Sequence, residues 1–219
     1  MATDTKERIL DAAEGLFADR GFPGTSMRDI TQGADANIAA VNYHFGSKEA
    51  LLLAVLERRI EPVNQARLAR LDELESSAGG QPVPIEDVVK AFLTPVFDTW
   101  RDNAGTAPKY MKLLGRIQAE VDQELRTKFI QQFGVVLERF AAAFERALPN
   151  LDAGEVRWRV LFLIGSMAYT MTWGTALLEM GGQDRRDSDH VFEALVQYAT
   201  AGMNAPHAAS VATTDRETR

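Results

Sequence analysis

The sequence contains no cysteine, and among its 219 residues the acidic side chains outnumber the basic ones. The lack of cysteine excludes disulfides, thiol nucleophiles and cysteine-ligated zinc. With 24 lysines and arginines against 31 aspartates and glutamates, the net charge of -7 excludes a protein that holds nucleic acid by bulk positive charge. Contacts with nucleic acid would have to come from a few well-placed cations and backbone amides. Between residues 20 and 48 the balance is slightly positive, because three basic side chains face two acidic ones.

Signatures of catalysis and metal binding are missing as well. The histidines at positions 44, 190 and 207 lack the spacing of metal ligands, and neither a zinc-protease nor a nucleophile-elbow motif is present. Residues 46–48 read Gly-Ser-Lys, whereas a phosphate-binding loop needs Gly-Lys followed by Ser or Thr after a strand. We therefore predict no catalytic residue, no metal and no cofactor.

The longest apolar stretch, residues 160–178, contains no charged side chain and approaches the length of a membrane span. Its hydroxyl groups dilute its hydrophobicity, however, and the first residues of the chain lack the pattern of a signal peptide. We therefore predict a cytoplasmic protein that does not associate with a membrane. In this interpretation the stretch is a helix that its own domain covers on one face and a second subunit covers on the other.

Apolar residues recur every three or four positions over most of the chain, and the alternation typical of strands is nearly absent. This pattern predicts an all-α fold of about nine helices. Ser26 and Asn37 are expected to cap two short helices, and Pro62 is expected to kink a long one. The predicted helices cover about 4–20, 27–33, 38–44, 48–75, 85–101, 106–118, 121–148, 153–180 and 188–203.

Two segments over residues 7–51 carry a family signature: ERILDAAEGLFADRGFPGTSMRDI and ANIAAVNYHFGSKEAL. They resemble the TetR family of bacterial transcriptional regulators, whose N-terminal three-helix domain contains a helix-turn-helix and leads into H-F-x-x-K-E-x-L at the start of helix 4. Asp35 stands where the family commonly has Gly, and Asn42 stands where it usually has tyrosine. Since Asp tolerates a left-handed backbone better than most residues do, we expect the turn at Asp35 to survive.

The resemblance implies a division of the chain into two domains and a tail. Residues 1–46 are expected to form the helix-turn-helix DNA-binding domain. Residues 47–203 are expected to form a helical domain for ligand binding and dimerisation, with helix 4 as the link between the two. Residues 204–219 are expected to be a disordered tail.

The resemblance also implies that the helix over 38–44 is a recognition helix, which its neighbours hold at a fixed angle in the major groove. Small side chains would let its backbone approach the bases, and its asparagines would hydrogen-bond phosphates or base edges. Simple N-capping by Asn37 and ordinary packing of the alanines remain open. The predicted DNA contacts are Thr25, Ser26, Arg28, Asn37, Ala39, Ala40, Asn42, Tyr43, His44 and Lys48.

In this family the C-terminal helices bind a small molecule and pair two subunits through their last two long helices. The resemblance therefore implies a homodimer that joins through the helices over 153–180 and 188–203. Apolar and a few polar side chains are candidates for the ligand site, and ordinary core packing is the alternative for each of them. The predicted lining is Phe92, Val96, Trp100, Tyr110, Met111, Leu114, Phe133, Phe162, Ser166, Tyr169, Thr170 and Trp173.

Three further segments, AAVNYHFGSK, KYMKLLG and WRVLFLIGSMAYTM, resemble the fatty-acid-responsive regulators of the PsrA type. This implies a repressor of fatty-acid metabolism genes that binds a near-palindromic operator in double-stranded DNA. A long-chain fatty acid or its acyl-CoA would release it. Arg116 could meet an acyl carboxylate, or it could form an ordinary surface ion pair.

Three other interpretations remain open. The protein could repress an efflux or catabolic operon and respond to another hydrophobic ligand. Its DNA-binding domain could be coupled to a protein partner instead of a small molecule. It could also be a helical enzyme that uses Tyr169, Glu120 or Glu124, although no motif supports that class.

Overall fold

The computed structural model describes residues 2–102, 113–116, 121–180 and 188–206. Every regular element within these ranges is a helix, which confirms the predicted all-α class. Residues 113–116 form a helical segment. The remaining helices are α1 (Ala2–Arg20), α2 (Met27–Gly33), α3 (Ile38–Phe45), α4 (Lys48–Ser77), α5 (Ile85–Asp102), α6 (Gln123–Gln131), α7 (Gly134–Ala147), α8 (Ala153–Met180) and α9 (Ser188–Asn204).

Polar side chains fix the ends of the two short helices, α2 and α3. Ser26 and Asp29 form a capping box, in which the Asp29 N–H donates to Ser26 Oγ at 3.2 Å and the Ser26 N–H donates to Asp29 Oδ2 at 2.9 Å. At the start of α3 the Ala40 N–H donates to Asn37 Oδ1 at 2.8 Å. Asp35, in the turn between the two helices, has a φ of 46°, the left-handed conformation expected at this position.

One hydrophobic cluster holds the head, which we define as residues 2–46, against the first half of α4. The cluster does not stop at the end of the head, because three of its buried members follow α5. The head therefore shares its core with later parts of the chain, and the predicted domain boundary at residue 46 stays a prediction. Buried members of this cluster include Ile9, Phe17, Ile30, Val41, Leu52, Leu113, Val121 and Leu125.

Charged side chains also join the head to α4. Glu14 of α1 is 5% exposed, and its carboxylate accepts hydrogen bonds from two consecutive arginines of α4. Arg58 Nη2 donates to Glu14 Oε2 at 2.7 Å, and Arg59 Nε donates to Glu14 Oε1 at 3.0 Å. Because the carboxylate is buried and each oxygen accepts a charged donor, this contact fixes the direction in which α4 leaves the head.

The predicted single helix over 121–148 is wrong, because the chain turns at Gln132 and Phe133 and divides it into α6 and α7. The Phe133 N–H donates to Ile130 O at 3.0 Å, a tighter turn than an α-helix makes. The turn lets Phe129 and Phe133 pack against the cluster of the head, while Phe140 points into a second cluster. A straight helix could not place these side chains in both clusters. The apolar periodicity continues across the turn, so it did not indicate where the helix breaks.

The second hydrophobic cluster joins the end of α4 with α5, α7, α8 and α9. Arg159 of α8 fixes the end of α9 against it: its Nη1 donates to Met203 O at 2.7 Å and to Ala205 O at 2.6 Å. These carbonyls lie where a helix leaves its acceptors unsatisfied, so Arg159 acts as a C-cap supplied by another helix. Among the described residues, no helix has both the length and the apolar character that a membrane span requires.

Parts of three predictions lie outside the described residues. The predicted helix over 106–118 is described only at residues 113–116, where the chain is helical. Of the predicted tail, Asn204 ends α9, residues 205 and 206 follow it without regular structure, and residues 207–219 lie outside. α4 continues through Pro62, so the expected kink there remains a prediction.

Candidate functional site

The outer face of α3 presents exposed polar side chains. Val41, which is fully buried, anchors the helix in the cluster of the head. Ala39 and Asn42 of α3 and its N-cap residue Asn37 are exposed, and Tyr43 is 85% exposed. The exposed tyrosine and the two asparagines give this helix face several hydrogen-bonding groups and an aromatic ring. Such groups can bind phosphates and the edges of bases.

The remaining candidates on α3 are less accessible. Ala40 and Phe45 are half-buried and pack against the cluster of the head, as expected for the inner side of the helix. His44 is half-buried, and its ring meets the Tyr43 ring edge to face with centroids 5.2 Å apart. The imidazole therefore limits the orientations open to the exposed tyrosine.

Ser26 and Arg28, at the start of α2, are both exposed beside α3. The hydrogen bonds from Ser26, first through its side chain and then through its backbone, lower the pKa of Asp29 below its ordinary value. Arg20 adds to this effect with a contact of 3.4 Å between its Nη1 and Asp29 Oδ1. Asp29 is therefore ionised at neutral pH. Its negative charge is partly compensated by Arg20 and by the hydrogen bonds from Ser26, which reduces its repulsion of a nearby anion.

Thr25 lies inside the head, contrary to the expectation of a side-chain contact with phosphate. It is 1% exposed, and its hydroxyl oxygen lies 2.8 Å from Gly21 O and 3.2 Å from Leu16 O. A hydroxyl that bonds the carbonyls of Leu16 in α1 and of Gly21 just after it holds the entry to α2 in place. We therefore leave the Thr25 side chain out of the proposed contacts with DNA.

Lys48, in the first turn of α4, is half-buried and reaches back to the loop before α2. Its ammonium donates to Phe22 O at 2.9 Å and to Thr25 O at 3.0 Å, and it lies 4.3 Å from the centre of the Phe22 ring. An ammonium has three donors, and these bonds occupy two of them. The sequence did not reveal this role in positioning the loop, because the contact joins residues more than twenty positions apart.

The structure separates the predicted ligand-site residues into several groups. Phe92, Val96 and Trp100 are buried together in the second cluster. Leu114 packs between the two clusters, and Phe133 packs against the cluster of the head. Ser166 and Thr170 are half-buried on α8, whereas Tyr110 and Met111 lie outside the described residues. Arg116 Nη2 donates to Asp19 O at 3.3 Å, so it contacts the head.

Three predicted lining residues instead face outward, and this corrects the expectation that they enclose a ligand within one subunit. Phe162, Tyr169 and Trp173 are 63%, 60% and 54% exposed. With Trp158, 59% exposed, they recur every four or seven positions and form one stripe along α8. An exposed aromatic stripe of this length is typical of a surface used for binding another molecule.

Two buried polar residues of α4, Asn64 and Arg67, were missed by the sequence analysis. Each is 3% exposed, and Arg67 Nη1 donates to Asn64 Oδ1 at 3.2 Å. Their positions continue the apolar register of Ile60 and Leu71, at intervals of four, three and four residues. Polar residues in that register were the signal available in the sequence.

In the part of the chain that the structure describes, no group of acidic residues and histidines could hold a metal ion.

Comparison with known proteins shows regulators of transcription. The chain is 25% identical over 175 residues to the HTH-type transcriptional regulator CymR of Pseudomonas putida, covering 78% of this chain and 81% of that protein. It is 40% identical over 73 residues to the HTH-type transcriptional repressor NicS of P. putida, about a third of each chain. The crystal structure of the regulator FadR from Bacillus subtilis in complex with stearoyl-CoA matches with a TM-score of 0.62 at 16% identity, over 90% of this chain and 98% of that one.

Two family models account for both halves of the molecule. Residues 9–55 match the bacterial regulatory proteins of the tetR family, a range that contains α2, α3 and Lys48. Residues 90–202, just over half of the chain, match the tetracyclin repressor-like C-terminal domain. The chain therefore belongs to the TetR family of bacterial transcriptional regulators, which makes it a ligand-responsive regulator and not an enzyme.

Proposed function

We propose that this regulator is a homodimeric repressor that binds a near-palindromic operator and leaves it when a long-chain fatty acid or acyl-CoA binds. The observation that carries the DNA-binding part is the exposed polar face of α3, set on a helix that Val41 and the Asn37 cap hold in place. In a twofold dimer the two α3 helices would enter major grooves about 34–36 Å apart, or a multiple of that distance.

The proposed DNA contacts follow from exposure. Asn37, Ala39, Asn42 and Tyr43 are exposed on α3 and would meet base edges or phosphates. Around them, less exposed or more distant groups would meet the sugar-phosphate backbone. These are Ser26, Arg28, His44, the backbone beside Ala40, and the third N–H of Lys48.

The proposed dimer pairs α8 and α9 with the same helices of a second copy. The aromatic stripe of α8 supplies the apolar surface, and Tyr198 on α9 is 69% exposed beside small residues such as Ala201. A self-complementary patch of aromatic and small side chains suits a twofold interface. Burial of this stripe would also explain why a helix in a protein of this family carries so many exposed rings.

The proposed effector class is supported by the apolar second cluster and by one neighbour in fold. FadR of Bacillus subtilis shares the overall fold and was crystallised with stearoyl-CoA. The segments that resemble PsrA-type regulators point to the same chemistry. Repression as the direction of control is supported by NicS, which is described as a repressor. A repressor of an efflux or catabolic operon with another hydrophobic effector is the second candidate.

Fluorescence anisotropy with labelled DNA from upstream of its own gene tests this function. We expect specific binding by the unliganded protein, and loss of that binding on addition of oleate or oleoyl-CoA. Asn42→Ala and Tyr43→Phe should each weaken binding about tenfold while the melting temperature stays unchanged, because both side chains are exposed. Lys128→Ala, on the exposed surface of α6, is the matched control.

Two results of this experiment would contradict different parts of the proposal. Failure of the unliganded protein to prefer this DNA over a scrambled fragment would contradict its role at that operator. Specific binding that neither oleate nor oleoyl-CoA changes would remove the fatty-acid effector and favour the second candidate.

A further inference from the structure

Ile38 is a large apolar residue that the head leaves exposed at the start of α3. It is the first residue of the helix, directly after the Asn37 cap, and it is 48% exposed. Ile30 of α2 and Val41 of α3, by contrast, are fully buried. Single exposed apolar residues are common on protein surfaces, so exposure alone assigns no role to Ile38. Its position does, because the N-terminal residues of a recognition helix are the ones that contact base edges.

The Ile38 side chain is restricted before any contact forms. Isoleucine is branched at Cβ and strongly prefers one rotamer in a helix. About half of the residue's surface is already covered by the rest of the protein. Packing its exposed part against a further group therefore costs little conformational entropy.

The composition of α3 favours one type of base pair. Its sequence, IAAVNYHF, contains no lysine, arginine, aspartate or glutamate, so the side chains that most directly recognise guanine and cytosine are missing from this helix. Asn42, one turn after Ile38 and on the same side of the helix, is exposed, and asparagine pairs with the edge of adenine. The thymine opposite an adenine presents an apolar group in the major groove, its 5-methyl group.

We propose that Ile38 is a specificity residue that packs against the 5-methyl group of a thymine in each half-site of the operator. This inference rests on the proposed DNA-binding function and adds the chemical group that the start of α3 recognises. The side chain has no charge and no hydrogen-bonding group, so it cannot serve as a phosphate ligand. Contact with a methyl group instead removes apolar surface of both partners from water.

A purely structural role is the competing explanation, in which Ile38 only packs at the edge of the head. The two roles differ in one respect that can be measured. A structural isoleucine is indifferent to a single methyl group of the DNA, whereas a contact residue is not. Deoxyuridine pairs with adenine as thymidine does and lacks only the 5-methyl group, so this replacement removes the proposed partner and leaves the base pair in place.

The test uses the full-length protein and a duplex that the protein itself enriches from a random DNA pool. Each thymine of the half-sites is replaced in turn by deoxyuridine at both symmetry-related positions, and the Kd is measured by fluorescence anisotropy. We expect at least one position at which the wild type loses affinity about tenfold, as the loss of one buried methyl group in each of two half-sites implies. Ile38→Ala should bind the unmodified duplex more weakly and be nearly indifferent to deoxyuridine at that position.

Ile130→Ala, at an isoleucine of α6 that is 53% exposed, is the matched control and should show the full loss. Because the proposed contact involves no charge, the loss should be the same at about 50 and 200 mM salt. Melting temperatures show whether the variants fold as the wild type does. If Ile38→Ala binds too weakly to measure, Ile38→Val removes a single methyl group and should show an intermediate loss.

Two results would overturn the inference. One is a wild type that no deoxyuridine position weakens, and the other is an equal loss for Ile38→Ala or Ile38→Val and the wild type at every sensitive position. Failure of the wild type to enrich any sequence would contradict the DNA-binding function itself, so the two kinds of failure are distinguishable.

Discussion

Lys48, the first residue of α4, donates a hydrogen bond of 3.0 Å to the backbone carbonyl of Thr25 in the loop before α2. The same ammonium bonds Phe22 O and lies over the Phe22 ring, so the first turn of α4 holds both ends of the loop that leads into α2. The angle of α2, and with it the angle of α3, is therefore set in part by a residue of the following helix.

Replacing Lys48 by methionine should destabilise the head as well as weaken operator binding. Because two hydrogen bonds from a charged group are lost at a half-buried site, we expect the free energy of unfolding to fall by about 1–3 kcal/mol. Urea unfolding followed by circular dichroism measures this change. Lys128→Met removes an exposed ion pair on α6 and should leave the free energy of unfolding nearly unchanged, because water and salt screen a pair at the surface. A Lys48→Met protein as stable as the wild type would show that its ammonium acts only on DNA.

The capping box predicts how the stability of the head depends on pH. Hydrogen bonds from Ser26 lower the pKa of Asp29 below its ordinary value of 3.8. A carboxylate with a depressed pKa contributes stability above its unfolded pKa, and this contribution is lost as the pH falls through its folded pKa. The difference in urea midpoint between wild type and Asp29→Asn should therefore be constant between about pH 5 and 8 and shrink below about pH 4.

Ser26→Ala, which removes the hydroxyl donor, should bring Asp29 closer to its ordinary titration and reduce the same difference. A difference between wild type and Asp29→Asn that does not change with pH would contradict the role of the ionised carboxylate.

Glu14 is expected to be the most sensitive charged residue of the head. Replacement by glutamine leaves Arg58 and Arg59 facing a neutral group at a buried site, so we expect the free energy of unfolding to fall by about 2–4 kcal/mol, less than for a fully buried pair because both arginines are partly exposed. Glu7→Gln, which removes one bond from Arg58 at an exposed site, should cost less than about 1 kcal/mol. Similar losses for the two variants, measured by urea unfolding, would contradict the special position of Glu14.

The aromatic stripe of α8 predicts where a charge would separate the proposed dimer. Phe162→Glu places a carboxylate in that stripe and should raise the dimer dissociation constant at least about a hundredfold, since an unpaired charge at an interface core is costly. Sedimentation velocity over a range of concentrations measures this. Val135→Glu changes an equally exposed apolar residue, 67% exposed on α7, and should leave the association unchanged. Dissociation by both variants or by neither would place the interface elsewhere.

The sequence predicted the parts of the fold that depend on local signals. Ser26 and Asn37 marked the starts of α2 and α3, and a turn residue tolerant of positive φ stood at Asp35, so these boundaries agree with the structure. The break between α6 and α7 was not predicted, because Phe129, Phe133 and Phe140 continue one helical period while packing into different clusters. Periodicity records that a side chain is buried and not which neighbour buries it.

The candidate site divides in the same way. Exposed polar residues of α3 follow from the family signature, whereas the inward position of Thr25 depends on how the loop before α2 folds back onto the carbonyls of Leu16 and Gly21. Phe162 and Trp173 looked like lining because a sequence does not distinguish an apolar face inside one subunit from one on its surface. Arg67 was overlooked because an arginine on a long helix is usually solvated.

In capping α9, Arg159 donates hydrogen bonds only to main-chain oxygens, those of Gly202, Met203, Ala205 and Pro206. Main-chain acceptors are the same for every amino acid, so substitutions at the exposed positions 202, 205 and 206 leave this cap intact, and a fluorescent or spin label could be introduced there. Insertion or deletion of a residue would instead shift the acceptors out of reach. The length of this segment is therefore constrained, whereas the identity of its exposed residues is not.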